Sequence, residues 1–175
     1  RMNPVRMEAQ SIRDSLLQLA GQLDLTMGGP TIDPNKENTV FRRSLYFTHS
    51  KDDVHKFLET FDNANVQECY RRSESVLPQQ ALALANSKLS MAAAGKLAEK
   101  IAADRAVSTD DGFIRTAYET VLAIEPTRAE LEVCAETLMQ LRSLAEKQGQ
   151  KDPVARARAG LVHALFNHND FITVR

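Results

Sequence analysis

Glu68, Cys69, Arg71 and Arg72 fall within five positions of one another, and Gln79, Gln80 and Asn86 follow directly behind Pro78. This is the densest polar cluster in the chain. A guanidinium is a planar fork that pairs bidentately with a carboxylate, and carboxamides both donate and accept, so the cluster has the chemistry of polar recognition. It matches no catalytic or cofactor motif. None of His49, His55, His163 and His168 has a serine or acid partner at a recognisable motif spacing, so no activated nucleophile is legible.

A second basic pair, Arg42-Arg43, precedes Tyr46, and Asp14 and Asp62 are acids within reach of such forks in a folded chain. The candidate polar cluster is therefore Asp14, Arg42, Arg43, Asp62, Glu68, Arg71, Arg72, Gln80 and Asn86. His49 and His55 are six apart rather than at a metal-ligand spacing on one helical face, which predicts exposed histidines and no metal site. Gly28-Gly29 has no strand before it and no helix opening directly after it, so it predicts a plain tight turn rather than an anion cradle. Cys69 and Cys134 form no Cys-x-x-Cys-His motif, which excludes covalent haem in this segment. The two can pair or stand as free thiols, and Cys134, among apolar helical positions, fits a buried small hydrophobe.

The elements that must position these groups are read from apolar periodicity. Met7, Ile12, Leu16, Leu17, Leu19, Ala20 and Leu23 mark one amphipathic helix, with Glu8, Arg13, Asp14 and Gln18 on its other faces. Glycine and proline then dictate a long turn-rich loop through Gly28-Gly29-Pro30 and Asp33-Pro34. Val40 to Thr48 reads as an extended segment laid across helices, and Asp52 or Asp53 as the cap of a short helix carrying Val54, Phe57, Leu58 and Phe61.

Pro78 suits a helix entrance, and the longest helix is expected from Gln79 to Ala103, with Leu82, Ala85, Leu89, Ala93, Leu97 and Ile101 inward and weak points at Asn86-Ser87 and Gly95. Phe113, Ile114, Ala117, Tyr118, Val121 and Leu122 specify another helix, stopped by Glu125-Pro126. Thr127-Arg128-Ala129-Glu130 is a capping box opening a helix with Leu131, Cys134, Leu138, Leu141 and Leu144 inward, closed by Lys147-Gln148-Gly149. Pro153 opens the last helix, through Leu161, Ala164, Leu165 and Phe166, and Phe171 to Val174 reads as a short extended tail. The class is all-α: a bundle of about six helices with long ordered loops and at most two short extended segments.

A chain of 175 residues can enclose a real core as a single helical domain, residues 1–175. With 22 basic and 23 acidic residues scattered along it, no basic stripe exists to attract nucleic acid. No apolar run approaches the roughly 18 residues that span a bilayer.

Taken in order, several segments together resemble one family. Glu8 to Asp14, Met27-Gly28-Gly29-Pro30, Arg42-Arg43-Ser44-Leu45-Tyr46, Phe61-Asp62, Glu68 to Ser73, Pro78 to Asn86 and Leu165 to Phe171 are similar to the C-terminal domain of unknown function, of PSD type, in planctomycete and related bacterial proteins whose N-terminal parts are cytochrome-type domains. The chain departs from that pattern at Ile124-Glu125-Pro126-Thr127, where a glycine-arginine pair usually precedes the proline-threonine, and at His168, where a small residue is common. The resemblance implies the C-terminal fragment of an exported multidomain protein, periplasmic or at the cell surface. It implies no cofactor in this segment, haem only in a separate upstream domain, and the upstream domains of the same chain as partners.

Two readings follow. In one, Arg42, Arg43, Arg71 and Arg72 pair with Asp14, Asp62 and Glu68 to hold long loops on the bundle of an accessory or scaffold domain. In the other, the Arg/Gln/Asn cluster of the central loop faces a cleft that takes a polar, carbohydrate-like substrate, as an enzyme or a binding domain. Bidentate recognition serves either purpose.

Overall fold

The computed structural model describes residues 5–37, 39–50, 55–61, 78–104, 107 and 109–174. Among them are seven α-helices: α1 (Ala9–Leu19), α2 (Lys56–Thr60), α3 (Pro78–Asn86), α4 (Lys88–Ala102), α5 (Asp110–Leu122), α6 (Arg128–Lys147) and α7 (Pro153–Phe166). A short antiparallel pair, β1 (Val5–Arg6) and β2 (Thr173–Val174), brings residue 5 opposite residue 174. The expected all-α class holds.

The bundle is built around α7, which packs against both α4 and α6. Small residues make this close approach feasible. The buried stripe of α4 is Ser90, Ala93, Ala94, Leu97, Ala98 and Ile101, and a Cβ added at Gly160 of α7 would stand 3.0 Å from Leu141 Cδ1 of α6. From α5, all six residues of the expected stripe are buried: Phe113, Ile114, Ala117, Tyr118, Val121 and Leu122. Burying one such large apolar side chain stabilises the fold by about 1.5–3 kcal/mol, so this layer accounts for much of the stability. Cys134 is a buried free thiol 3.7 Å from the Tyr118 hydroxyl, and burial pushes both groups above their ordinary pKa. Cys69 lies outside the described residues.

Local signals set the helix ends. Thr127 accepts from the Glu130 amide while the Glu130 carboxylate accepts from the Thr127 amide, so the capping box is present, and Asp152 caps α7 ahead of Pro153. The single long helix expected from Gln79 to Ala103 is two helices. Ser87 leaves helical geometry and turns its hydroxyl onto the Ser90 amide, starting α4 afresh, while Gly95 causes no break; the longest helix is instead α6, with 20 residues. Restarting the helix moves the inward face: Leu84 is buried and Leu82 is exposed. Leu144 is likewise exposed with Ala145 inward, and on α7 Val162 is inward with Ala164 exposed. The cap of α2 is His55, whose Nδ1 accepts from the Leu58 amide, and Asp52 and Asp53 lie outside the described residues.

Between α1 and α2 the described chain is largely irregular. The segment expected to be extended, Val40 to Thr48, contains a 3-10 turn at Ser44–Tyr46, and its extended parts touch the preceding loop through two isolated parallel bridges, Asp24 to Arg42 and Ile32 to Phe47. The C-terminal tail is extended only at Thr173–Val174, because Asn169–Phe171 forms a 3-10 turn first. No helix of the described residues is long and apolar enough to cross a membrane.

Candidate functional site

A loop without a regular ladder must still satisfy its buried carbonyls. Here a guanidinium does so. Arg13, on α1, is 0% exposed. Its Nη1 donates to Arg42 O at 3.1 Å and Ser44 Oγ at 3.3 Å, and its Nη2 to Glu37 O at 3.2 Å and Val40 O at 2.8 Å. The Phe47 ring closes over the guanidinium, its centroid 4.8 Å from the central carbon. Glu37 and the stretch from Val40 to Phe47 are thus wrapped around one side chain. Burial lowers the Arg13 pKa, and the neighbouring Asp14 and Glu37 charges oppose that shift.

Sequence periodicity placed Arg13 on an outer face of its helix, and that reading is wrong. Positions 9, 12, 13, 16, 17 and 20 form a single buried stripe with Arg13 in its middle. A charged residue on such a stripe was the available signal, because it can be buried only if acceptors await it.

Asp14, the next residue, works from the flank. Its Oδ1 accepts from the Ser44 amide at 2.8 Å and the Ser44 hydroxyl at 2.6 Å, and stands 3.8 Å from Arg13 Nη1. Arg42 clamps the preceding loop. It donates through Nη1 to Pro30 O at 3.3 Å, and through Nη2 to Thr26 O at 3.3 Å and to Gly28 O, while its guanidinium stacks 4.0 Å above the Tyr46 ring. The Gly28 amide donates back to the Tyr46 hydroxyl at 2.9 Å. Gly28-Gly29 is accordingly a tight turn, with φ of 76° and 91°, and a Cβ at Gly29 would stand 3.6 Å from the Arg42 fork. The expected pairing of Arg42 with a carboxylate is replaced by pairing with carbonyls.

His55, expected to be exposed, is 3% exposed and meets Phe47 edge-on at a centroid distance of 4.4 Å. Glu37 Oε2 lies 3.2 Å from its Nδ1, a contact that favours a charged ring. Burial and the nearby Arg13 charge outweigh that contact and lower the His55 pKa to about 4, so Nδ1 is free to accept from the Leu58 amide at 3.3 Å. His49 remains exposed.

The other predicted residues are dispersed. Gln80, at the start of α3, is 2% exposed and accepts a hydrogen bond from Arg6 on β1. Asn86 is exposed and donates to Leu82 O of its own helix at 3.0 Å. Asp62, Glu68, Arg71 and Arg72 lie outside the described residues. Arg43 is exposed and, among the described residues, its side chain makes no hydrogen bond or ion pair. It borders two clefts, of about 860 and 450 Å³, together with Ser11 and Asp14.

A second cluster gave no motif. Asp110, in the first turn of α5, accepts from Arg142 Nη2 of α6 at 2.9 Å and Arg158 Nη2 of α7 at 3.1 Å, joining three helices. Burial alone would raise its carboxyl, but the two arginines outweigh it and hold the pKa below the ordinary value. No group of three or more His, Cys, Asp or Glu side chains gathers among the described residues as a metal site would require.

Residues 1–138 match the family model PSD1, described as a protein of unknown function (DUF1553). No curated protein and no solved structure matches the chain.

Proposed function

Because the chain belongs to the PSD1 family of unknown function, we propose that it is a helical accessory or scaffold domain that holds or docks neighbouring domains of a larger exported, cytochrome-type protein. The observation that carries this reading is where the guanidinium groups point. Arg13 and Arg42 spend their donors on seven hydrogen bonds to the chain's own loops, six of them to backbone carbonyls. Groups so engaged fix shape and are not free to bind substrate.

The other reading, a site for a carbohydrate-like substrate, needs the Arg, Gln and Asn side chains turned toward a cleft. Gln80 is buried against Arg6 and Asn86 bonds its own helix, which favours the scaffold. In the proposed setting the domain carries no haem of its own, haem belongs to a separate upstream domain, and the protein is periplasmic or at the cell surface.

Thermal melts of Arg13→Ala and Gln80→Ala test the structural role. Losses of several kcal/mol are expected for Arg13, since a buried network left half-made costs about 3–5 kcal/mol. Melts of both variants within about half a kcal/mol of the parent, the range of unconstrained surface positions, would defeat the scaffold reading. The upstream sequence tests the setting: an export signal and a Cys-x-x-Cys-His segment are expected there.

A further inference from the structure

Arg43 sits between two of the most heavily tied residues of its loop. On one side Arg42 grips the carbonyls of Thr26, Gly28 and Pro30; on the other, the amide and hydroxyl of Ser44 both donate to Asp14. Its backbone is therefore pinned while its guanidinium has no hydrogen-bond or ion-pair partner among the described residues. A cation carried on fixed backbone and left unpaired is available to an anion from outside.

The larger cleft beside it, about 860 Å³, has the size of a small-molecule site. One wall is the polar side of α1, with Ser11, Ser15 and Gln18. The other walls are largely apolar, including Leu23, Leu25, Val121, Ile124, Phe171 and Val174. At the mouth, Leu25 is 61% exposed and Val174 57% exposed, so apolar surface there still lacks a cover. Among the described residues, Arg43 is the one basic side chain on the cleft. A single fork satisfies a singly charged planar anion in bidentate fashion, whereas a phosphate dianion would call for further donors. The two acids on the walls are already engaged: Asp14 by Ser44, and Asp170 in interactions of its own. They leave Arg43 available.

We propose that this cleft binds a small amphipathic carboxylate, an aliphatic acid whose head pairs with Arg43 and whose chain lies along Leu25, Val121, Ile124 and Val174. The site is independent of the scaffold role, since it uses the arginine that role leaves free.

Titration calorimetry of the chain with decanoate, decan-1-ol and acetate, below micellar concentration, tests this. Decanoate is expected to bind roughly tenfold or more tightly than either the alcohol or acetate, as a charge-assisted pair added to chain burial requires. Arg43→Gln should bring decanoate down to the level of the alcohol. Leu25→Glu, at an exposed position, should weaken decanoate by at least a similar factor, and neither variant should shift the melting temperature. Equal binding of decanoate and decan-1-ol, unchanged decanoate affinity in Arg43→Gln, or no binding of decanoate at all would overturn the proposal.

Discussion

Around α7 the backbone satisfies itself within helices, and the elements are joined by hydrocarbon: Phe113, Leu138, Leu161, Val162 and Phe166 are all buried there. Among the described residues between 24 and 47 the strand pairing is two isolated bridges, and the elements are joined by two guanidinium forks, Arg13 and Arg42, on backbone carbonyls. The contrast is one of tolerance. An apolar contact weakens in proportion to the area removed, whereas a buried carbonyl that loses its donor bears the whole desolvation cost at once. The irregular segment should therefore fail abruptly and locally, the bundle gradually and as a unit.

The sharpest way to break that comparison is to set Arg13→Ala beside Leu138→Ala. Both should cost about 3–5 kcal/mol, the first by orphaning the carbonyls of Glu37, Val40 and Arg42, the second by leaving a cavity. They should differ in kind: limited proteolysis should cut Arg13→Ala between residues 24 and 47 while circular dichroism still reports most of the helix. Uniform loss of helix in both variants would erase the distinction.

A pH titration comes next. An unfolded histidine titrates near its ordinary value of 6.5, whereas folded His55 does so at about 4, so between these values the unfolded chain binds the extra proton. The stabilisation from a neutral His55 is fully present above pH 6.5 and falls as pH drops toward 4, by up to about 3 kcal/mol. Urea unfolding across that window should show the slope, and His55→Asn, which keeps a cap acceptor without a titrating ring, should flatten it. Arg42→Ala is expected to cost less, about 1–2 kcal/mol, because its fork is partly exposed and its carbonyls can turn to water; Arg42→Lys should not restore the loss, since an ammonium offers no fork to stack on Tyr46. The smallest effect has the opposite sign. Ala123, which ends α5, has φ of 56°, and Ala123→Gly should raise stability by about 0.5–1 kcal/mol in the same unfolding assay by removing Cβ crowding.

The same division decides what was legible in the sequence. Bundle elements follow from period and caps: the stripe of α5, the Thr127 box and the Pro153 start are where the sequence puts them. Such signals are local, each needing only a few neighbours along the chain. The break at Ser87 showed only as weak helix propensity, because a hydroxyl cap competes with helix continuation by a small margin. Arg13 escaped, since its acceptors lie 24 to 31 positions away on a loop whose path no short-range pattern specifies. His55 escaped for a related reason: its burial depends on Phe47 and Arg13 arriving from elsewhere. Of the expected cluster, Asp14 and Arg42 do meet in one region, Gln80 is fastened elsewhere by Arg6, and the Asp110 triad had no signature because its members come from three helices.

The pairing of β1 with β2 has a mechanical consequence. Val5 stands opposite Val174 and Arg6 opposite Thr173, and the Met7 amide continues the ladder to Ile172 O at 2.8 Å. Tension applied across positions 5 and 174 would act at right angles to the strands and open these links one after another, like a zip, instead of shearing them together. The weak ladder would yield first as a fuse, and only then would load pass into the start of α1, where Arg13 waits one turn further along, and into the turn that follows α7.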